Sequence, residues 1–140
     1  MMIEIDENIK GKRYKRLIDW LQKHCDYFAF VVNGQLMDLE ERYAFIETID
    51  EHLMERKVQT EWETTILSGG DIVHVYYFQL NNVTKDFLKE SATSLFEWLH
   101  PDLPEDLMFY QNGKCVLAVC SHEKYFIVDE DFWNNFQRNR

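Results

Sequence analysis

The chain has 140 residues and a formal net charge of −10, and 46% of its residues are hydrophobic and 15% aromatic. That length fits one domain, and that apolar content excludes a disordered chain, because enough surface can be buried to offset the ordering entropy. The charge repels phosphate-rich surfaces, so neither nucleic acid nor membrane is expected as a partner, whereas a basic protein is.

From the N-terminus, "MMIEIDEN" forms a short lead. Tyr14, Leu17, Ile18, Leu21 and Cys25 then recur at the i, i+3, i+4, i+7 spacing of one helical face, with Lys12, Lys15, Arg16 and Lys23 on the other side. They predict a first helix from about Gly11 to His24. "YFAFVVNG" predicts a buried strand closed by an Asn-Gly turn. Asp38 and Glu41 fit a capping box, and Leu39, Phe45, Ile46, Ile49 and Leu53 fall along one side of a second helix running to about Arg56. From Val58 to Ile66 apolar and polar residues alternate, the pattern of a strand with one wet face. "SGGD" is its turn, and "IVHVYYFQL" pairs back as a strand buried on both faces.

Asn82 or Thr84 can cap a third helix whose seam is Leu88, Ala92, Leu95 and Leu99, stopped by His100-Pro101 because the residue before proline leaves the α region. "LMFY" and "CVLAVCS" flank the hairpin turn "QNGK", and "KYFIVD" extends the last strand or starts another. Asp129, Glu130 and Asp131 favour the start of a terminal helix through Arg138. The expectation is a single α+β domain over residues 1–140, with an antiparallel or mixed sheet of about five strands packed against helices.

The cysteines are three, Cys25, Cys115 and Cys120. An odd count and a start without signal-peptide character point to a reduced, cytoplasmic setting. Cys115, Cys120 and His122 carry zinc-ligand atom types, but alternation along a strand sends Cys115 to one face and Cys120 and His122 to the other unless a bulge intervenes. No Cys-x-x-Cys knuckle is present, so neither a metal nor another cofactor is expected.

Ser121, His122 and Glu123 invite a catalytic reading, yet neighbours in an extended strand alternate sides and cannot form a relay. No Gly-x-Ser-x-Gly, phosphate loop or His-Glu-x-x-His occurs, and no catalytic residue is assigned. Glu105 and Asp106, beside Asp102, read as a proline-set turn whose acids bond local N–H groups; the alternative is an acid cluster for proton transfer or a cation. His74 and the four tryptophans read as packing, although Trp62 on a half-exposed strand can anchor a partner.

Charge has more shape. At 100° per residue Glu40, Glu47, Glu51 and Glu55 stack along the second helix, and Glu61 and Glu63 carry the acid onto the next strand. Opposed to the basic side of the first helix, this stripe makes a charge dipole that can bind a basic partner, pair with a second copy as a homodimer, or simply be solvated.

"TEWETTIL", "SLFEWLHPDLPEDLMFY" and "GKCVLAVCSHEKYFIV" together resemble a family of small acidic proteins found mainly in Firmicutes, with a Pro-x-Leu-Pro-Glu-Asp-Leu turn and a hairpin ending in His-Glu. Some of its members carry a stage III sporulation label. The resemblance spans about residues 58 to 130, and the family's recurring positions fall here on Glu61, Trp62, Trp98, Pro101, Pro104, Glu105, Asp106, Leu107, Gly113, His122 and Glu123. It implies unity of fold and supplies no catalytic residues.

The leading expectation is a non-enzymatic, acidic protein-binding module, immunity-like or inhibitory, that masks a basic partner. One alternative is a small hydrolase or ligand-binding enzyme using His122, Glu123 and the Glu105-Asp106 turn, and another is a sporulation-associated structural factor. Convergence of His122 with both carboxylates within hydrogen-bonding reach beside a pocket would favour the enzyme, and an exposed, scattered arrangement would favour the binder.

Overall fold

A computed structural model describes residues 1–33, 45–67, 69–100 and 102–139. Its elements run β1 (Met2–Ile5), α1 (Lys12–His24), β2 (Tyr27–Val32), β3 (Leu53–Gln59), β4 (Glu61–Trp62), β5 (Thr65–Ile66), β6 (Val73–Gln79), α2 (Asn82–Ser91), β7 (Glu105–Gln111), β8 (Lys114–Cys120), β9 (Tyr125–Asp129) and α3 (Glu130–Arg138). Residues 45–47 are also helical. Seven strands form one sheet in the order β1-β9-β8-β7-β2-β6-β3, and β4-β5 is a separate hairpin. Each neighbouring pair is antiparallel.

Alternation along the central strands divides the sheet into two faces. On the helix face Phe28, Phe30, Phe78, Phe109, Leu117 and Val119 meet Leu17, Ile18 and Leu21 of α1, Leu88 of α2 and Phe132, Trp133 and Phe136 of α3. At its centre the fully buried Trp98 donates from Nε1 to the Tyr14 hydroxyl at 3.0 Å, and that hydroxyl donates to the Leu88 carbonyl at 2.6 Å. These polar atoms are therefore paired inside the apolar layer, where an unpaired one would cost about 1–3 kcal/mol. The arginines of α1 lie on α3, Arg16 at 4.7 Å from the Phe136 ring centroid and Arg13 at 5.7 Å from that of Trp133. Lys89 joins α2 to α1 by bonding Asp19 at 2.9 Å.

The opposite face carries Ala29, Val31, Val73, Val75, Met108, Tyr110 and Ala118. Across part of it folds the β4-β5 hairpin, here called the flap, which packs Trp62 and Leu67 against that layer. Leu67 N–H closes it by donating to the Thr60 carbonyl at 2.8 Å, and the Thr64 hydroxyl ties it to the sheet by donating to the Val119 carbonyl at 3.3 Å. Among the described residues no helix is long and apolar enough to cross a membrane.

The α+β class and the antiparallel sheet agree with expectation, but the sheet has seven strands plus a two-stranded hairpin rather than about five. The N-terminal lead contributes one of them, because Met2 to Ile5 pair with Asp129 to Phe126 of β9. The "QNGK" turn is as expected, with Asn112 and Gly113 at φ 50° and 81° between the paired Gln111 and Lys114. α3 begins as expected too, with Asp129 accepting from Phe132 N–H at 3.0 Å.

The second helix does not reach Arg56. Asp50–His52 form a 3₁₀ turn and Leu53–Gln59 a strand, because the aromatic β6 pairs along its whole length with this segment, from Leu53 against Phe78 to Gln59 against Val73. The capping residues Asp38 and Glu41 lie outside the described residues. The expected strand from Val58 to Ile66 breaks at Thr60 into the end of β3 and the flap, so "SGGD" leads from the flap into β6 rather than joining two paired strands.

The third helix starts with a capping box, Asn81 Oδ1 accepting from Thr84 N–H and the Thr84 hydroxyl accepting from Asn81 N–H. It ends at Ser91 rather than near Leu99. Backbone pairing with the N-terminal lead takes over there, Gly11 N–H donating to the Thr93 carbonyl and Leu95 N–H to that of Ile9.

Candidate functional site

On the open face, three strands side by side present Tyr27, Tyr77 and Tyr110. Tyr27 stacks on Tyr110 with centroids 4.8 Å apart and planes at 11°, and Tyr77 lies 6.2 and 6.3 Å from the two. Tyr27 and Tyr77 are half-buried. The Tyr77 hydroxyl donates to Gln59 Oε1 at 2.9 Å, and the Tyr110 hydroxyl to Met108 Sδ at 3.6 Å. A recess of about 650 Å³ runs from Tyr77 and Tyr110 to the flap, lined by Gln59, Glu61, Trp62 and Glu63.

Burial raises all three phenol pKa values, and the carboxylates around them add to it: Asp26, Glu55 and Glu63 for Tyr27, Glu55 and Glu63 for Tyr77, and Glu63 for Tyr110. A negative field thus falls on the rings. The Lys57 ammonium already answers it, 5.3 Å from the Tyr77 centroid and 3.4 Å from Glu55.

The glutamates of the expected stripe do not share a helix. Glu47 ends the helical stretch 45–47, Glu51 lies in the 3₁₀ turn, Glu55 projects from β3 and Glu61 and Glu63 sit on the flap, all of them exposed. Glu40 lies outside the described residues. Of the described glutamates of the stripe, Glu55, Glu61 and Glu63 adjoin the tyrosines, because Glu55 pairs with Tyr77 in the β3-β6 register and the other two line the recess.

A second constellation lies where β7 begins and β8 ends. Between Ala29↔Met108 and Val31↔Glu105 one residue of β2 faces two of β7, so Asp106 sits in a bulge, at φ 59°. Its buried carboxylate accepts from Trp62 Nε1–H at 2.9 Å through Oδ2 and from Ser121 N–H at 2.9 Å through Oδ1. Cys120 Sγ and His122 Nδ1 are 4.0 Å apart, and one ligand atom each of Asp106, Cys120 and His122 lie within 4.8 Å of one another. Glu105 Oε2 comes within 3.9 Å of His122 Nδ1. Glu105 and His122 line a cavity of about 290 Å³ with Val31, Asn33, Trp62, Thr65, Leu67 and Val73. Burial raises both carboxyl pKa values, for Glu105 with help from the neighbouring Asp106.

Ser121, His122 and Glu123 form a 3₁₀ turn instead of a strand, closed by Lys124 at φ 60°. Leaving extended geometry at Cys120 is what turns His122 back toward Cys120. The bulge allowed for between Cys115 and Cys120 also exists: Phe109 pairs with Leu117 and Tyr110 with Cys115, so both Val116 and Leu117 join the helix face. Cys115 and Ala118 then belong to the open face, as does Cys120 by alternation from Ala118. What separates the two cysteines is distance along the strand, about 16 Å at about 3.3 Å per residue.

Of the positions carrying the family resemblance, Trp62, Glu105, Asp106 and His122 meet at this cleft. Trp98 is on the other side of the sheet, in the core. Leu107 and Pro104 are buried, Glu123 is exposed, and Pro101 lies outside the described residues. The tyrosine triplet was not among the expected site residues. Its signal is present in the pairs Tyr27-Phe28, Tyr77-Phe78 and Phe109-Tyr110, whose alternation puts a hydroxyl on one face and a bare ring on the other. Comparison with family models, curated proteins and solved structures gives no match for this chain.

Proposed function

We propose that this chain is a non-enzymatic binding module for a basic protein, with the open sheet face as its docking surface. The observation that carries it is the Tyr27, Tyr77 and Tyr110 cluster held in the field of Glu55 and Glu63. Tyrosines are enriched at interface cores because each rigid ring brings large area and one polar tip, and acids around them select and steer a cationic partner. Lys57 over the Tyr77 ring supports this reading, since a partner's lysine or arginine would make the same kind of contact with the other rings. Partners with immunity-like or inhibitory consequences fall within this class.

The test is retention of proteins from the native cell extract on immobilised chain at low salt. Wild type should hold a protein of basic isoelectric point, released by salt. Glu61→Lys/Glu63→Lys and Tyr27→Ala should each lose it, and Glu47→Lys/Glu51→Lys should weaken it less. A retained protein that is acidic, or that both open-face variants keep, would sink the proposal.

A second reading, a small hydrolase using His122, Glu123 and the Glu105-Asp106 turn, is supported by the approach of His122 to Glu105 in a shared cavity. Against it, His122 Nδ1 and Glu105 Oε2 are 3.9 Å apart, beyond hydrogen-bonding reach, and Glu123 is not among the residues that line the cavity. Ester or amide turnover abolished by His122→Ala would establish the hydrolase.

A further inference from the structure

We propose that Asp106, Cys120 and His122 form a binding site for a divalent transition metal of the zinc class, with Glu105 drawn in from beside His122 as fourth donor. The site adjoins the docking face and shares Trp62 with it, but its donors are not among the docking residues. Its donors come from three elements: the β7 bulge supplies the carboxylates, the end of β8 the thiol and the following 3₁₀ turn the imidazole. A thiolate, an imidazole and carboxylate oxygen suit zinc or cobalt, whereas calcium and magnesium want oxygen alone.

Two of the distances are close to those of a loaded site, and the Asp106 oxygen lies within 4.8 Å of the Cys120 and His122 donors. Bonds of about 2.3 Å to sulfur and about 2.0–2.1 Å to nitrogen and oxygen put tetrahedral donors about 3.4–3.6 Å apart. Cys120 Sγ to His122 Nδ1 is 4.0 Å and His122 Nδ1 to Glu105 Oε2 is 3.9 Å, so each pair needs to close by only about half an ångström. His122 is half-exposed at 47%, which leaves its ring free to make that movement.

Asp106 remains available although it accepts two bonds, because a carboxylate offers about four lone-pair sites. Trp62 Nε1–H and Ser121 N–H then fix its orientation, as outer hydrogen bonds do for metal-bound carboxylates. A bound cation would also reverse the electrostatics that now raise the Cys120 thiol beside Asp106. Binding would release the thiol proton as the sulfur–metal bond forms, with no change of oxidation state.

The full-length chain, stripped with a chelator, is titrated with Co²⁺ and then with Zn²⁺. Wild type should bind one equivalent of Co²⁺ with a thiolate-to-cobalt charge-transfer band and tetrahedral visible bands, all displaced by Zn²⁺. Cys120→Ser should lose the charge-transfer band, and His122→Ala, at a half-exposed position where folding is safe, should lose the tetrahedral spectrum. Cys115→Ser should keep both. Trp62→Phe should weaken Co²⁺ binding roughly 10–100-fold while keeping the spectrum. A wild-type protein without the charge-transfer band, a band that survives in His122→Ala, or one that vanishes in Cys115→Ser would each overturn the assignment.

Discussion

Each of three adjacent strands carries a phenylalanine and a tyrosine side by side, and the two faces of the sheet treat them differently. Phe28, Phe78 and Phe109 form a row on the helix face, with Phe28 centroids 5.5 and 6.1 Å from the other two, and all three have no exposed surface. Tyr27, Tyr77 and Tyr110 form the matching cluster on the open face, and two of them stay half-buried. A ring without a polar atom can be sealed at no hydrogen-bonding cost, whereas a phenol needs a partner or water. The helix face is thus sealed, and the open face keeps part of its aromatic area exposed.

The sharpest contrast is within β6. Phe78→Ala should destabilise the fold by about 3–5 kcal/mol in urea denaturation, since it leaves a cavity under α1 and α2. Tyr77→Ala, one residue away, should cost less, about 1–2 kcal/mol, because its ring is only partly buried. Equal losses would show that the open face is as closed as the other, and the docking proposal would lose its surface.

Asp106 links the open face to the flap, and its effect depends on pH. Burial raises its carboxyl pKa above the ordinary 3.8, so in the window just above that value the folded state holds more protons than the unfolded one. Stability supplied by this group is therefore greatest at low pH and falls as pH rises through the raised pKa. Asp106→Asn, which replaces one of the two acceptors by a donor, should cost about 1–3 kcal/mol at the acidic end. The gap to wild type should narrow toward neutral pH as the charged carboxylate becomes costly to bury. A gap that widens instead would mean the carboxylate is stabilised as an anion, and denaturation curves over that pH range distinguish the two.

How far the two faces can be read in the sequence differs for the same physical reason. Helix α1, the Asn112-Gly113 turn and the Asp129 cap depend on local spacing and local bonds, and each is placed as expected. β3 was not legible, since Leu53 continues a helical period and only pairing with β6 makes the segment extended. The acidic stripe fell with it. The Asp106, Cys120 and His122 cleft depends on two irregularities, a bulge and a 3₁₀ turn after β8, and either is enough to defeat alternation. Strict alternation excludes a relay through His122, and although it puts Cys120 and His122 on one face it leaves them about 6.6 Å apart along the strand.

The smallest effect on stability reads the field of the open face directly. Glu55→Gln and Glu63→Gln remove exposed charges and should change the unfolding free energy by no more than about 0.5 kcal/mol. Both carboxylates raise the Tyr77 phenol, Glu55 more than Glu63 and both less than burial does. Each substitution should therefore lower the Tyr77 pKa toward, but not to, the ordinary 10.0, with Glu55→Gln moving it further. Ultraviolet or NMR titration of the tyrosines measures this without any partner, and added salt should shrink both shifts by screening. If neither substitution moves Tyr77, the carboxylates do not act on the rings, and a cationic partner has no electrostatic reason to choose this face over the rest of an acidic surface.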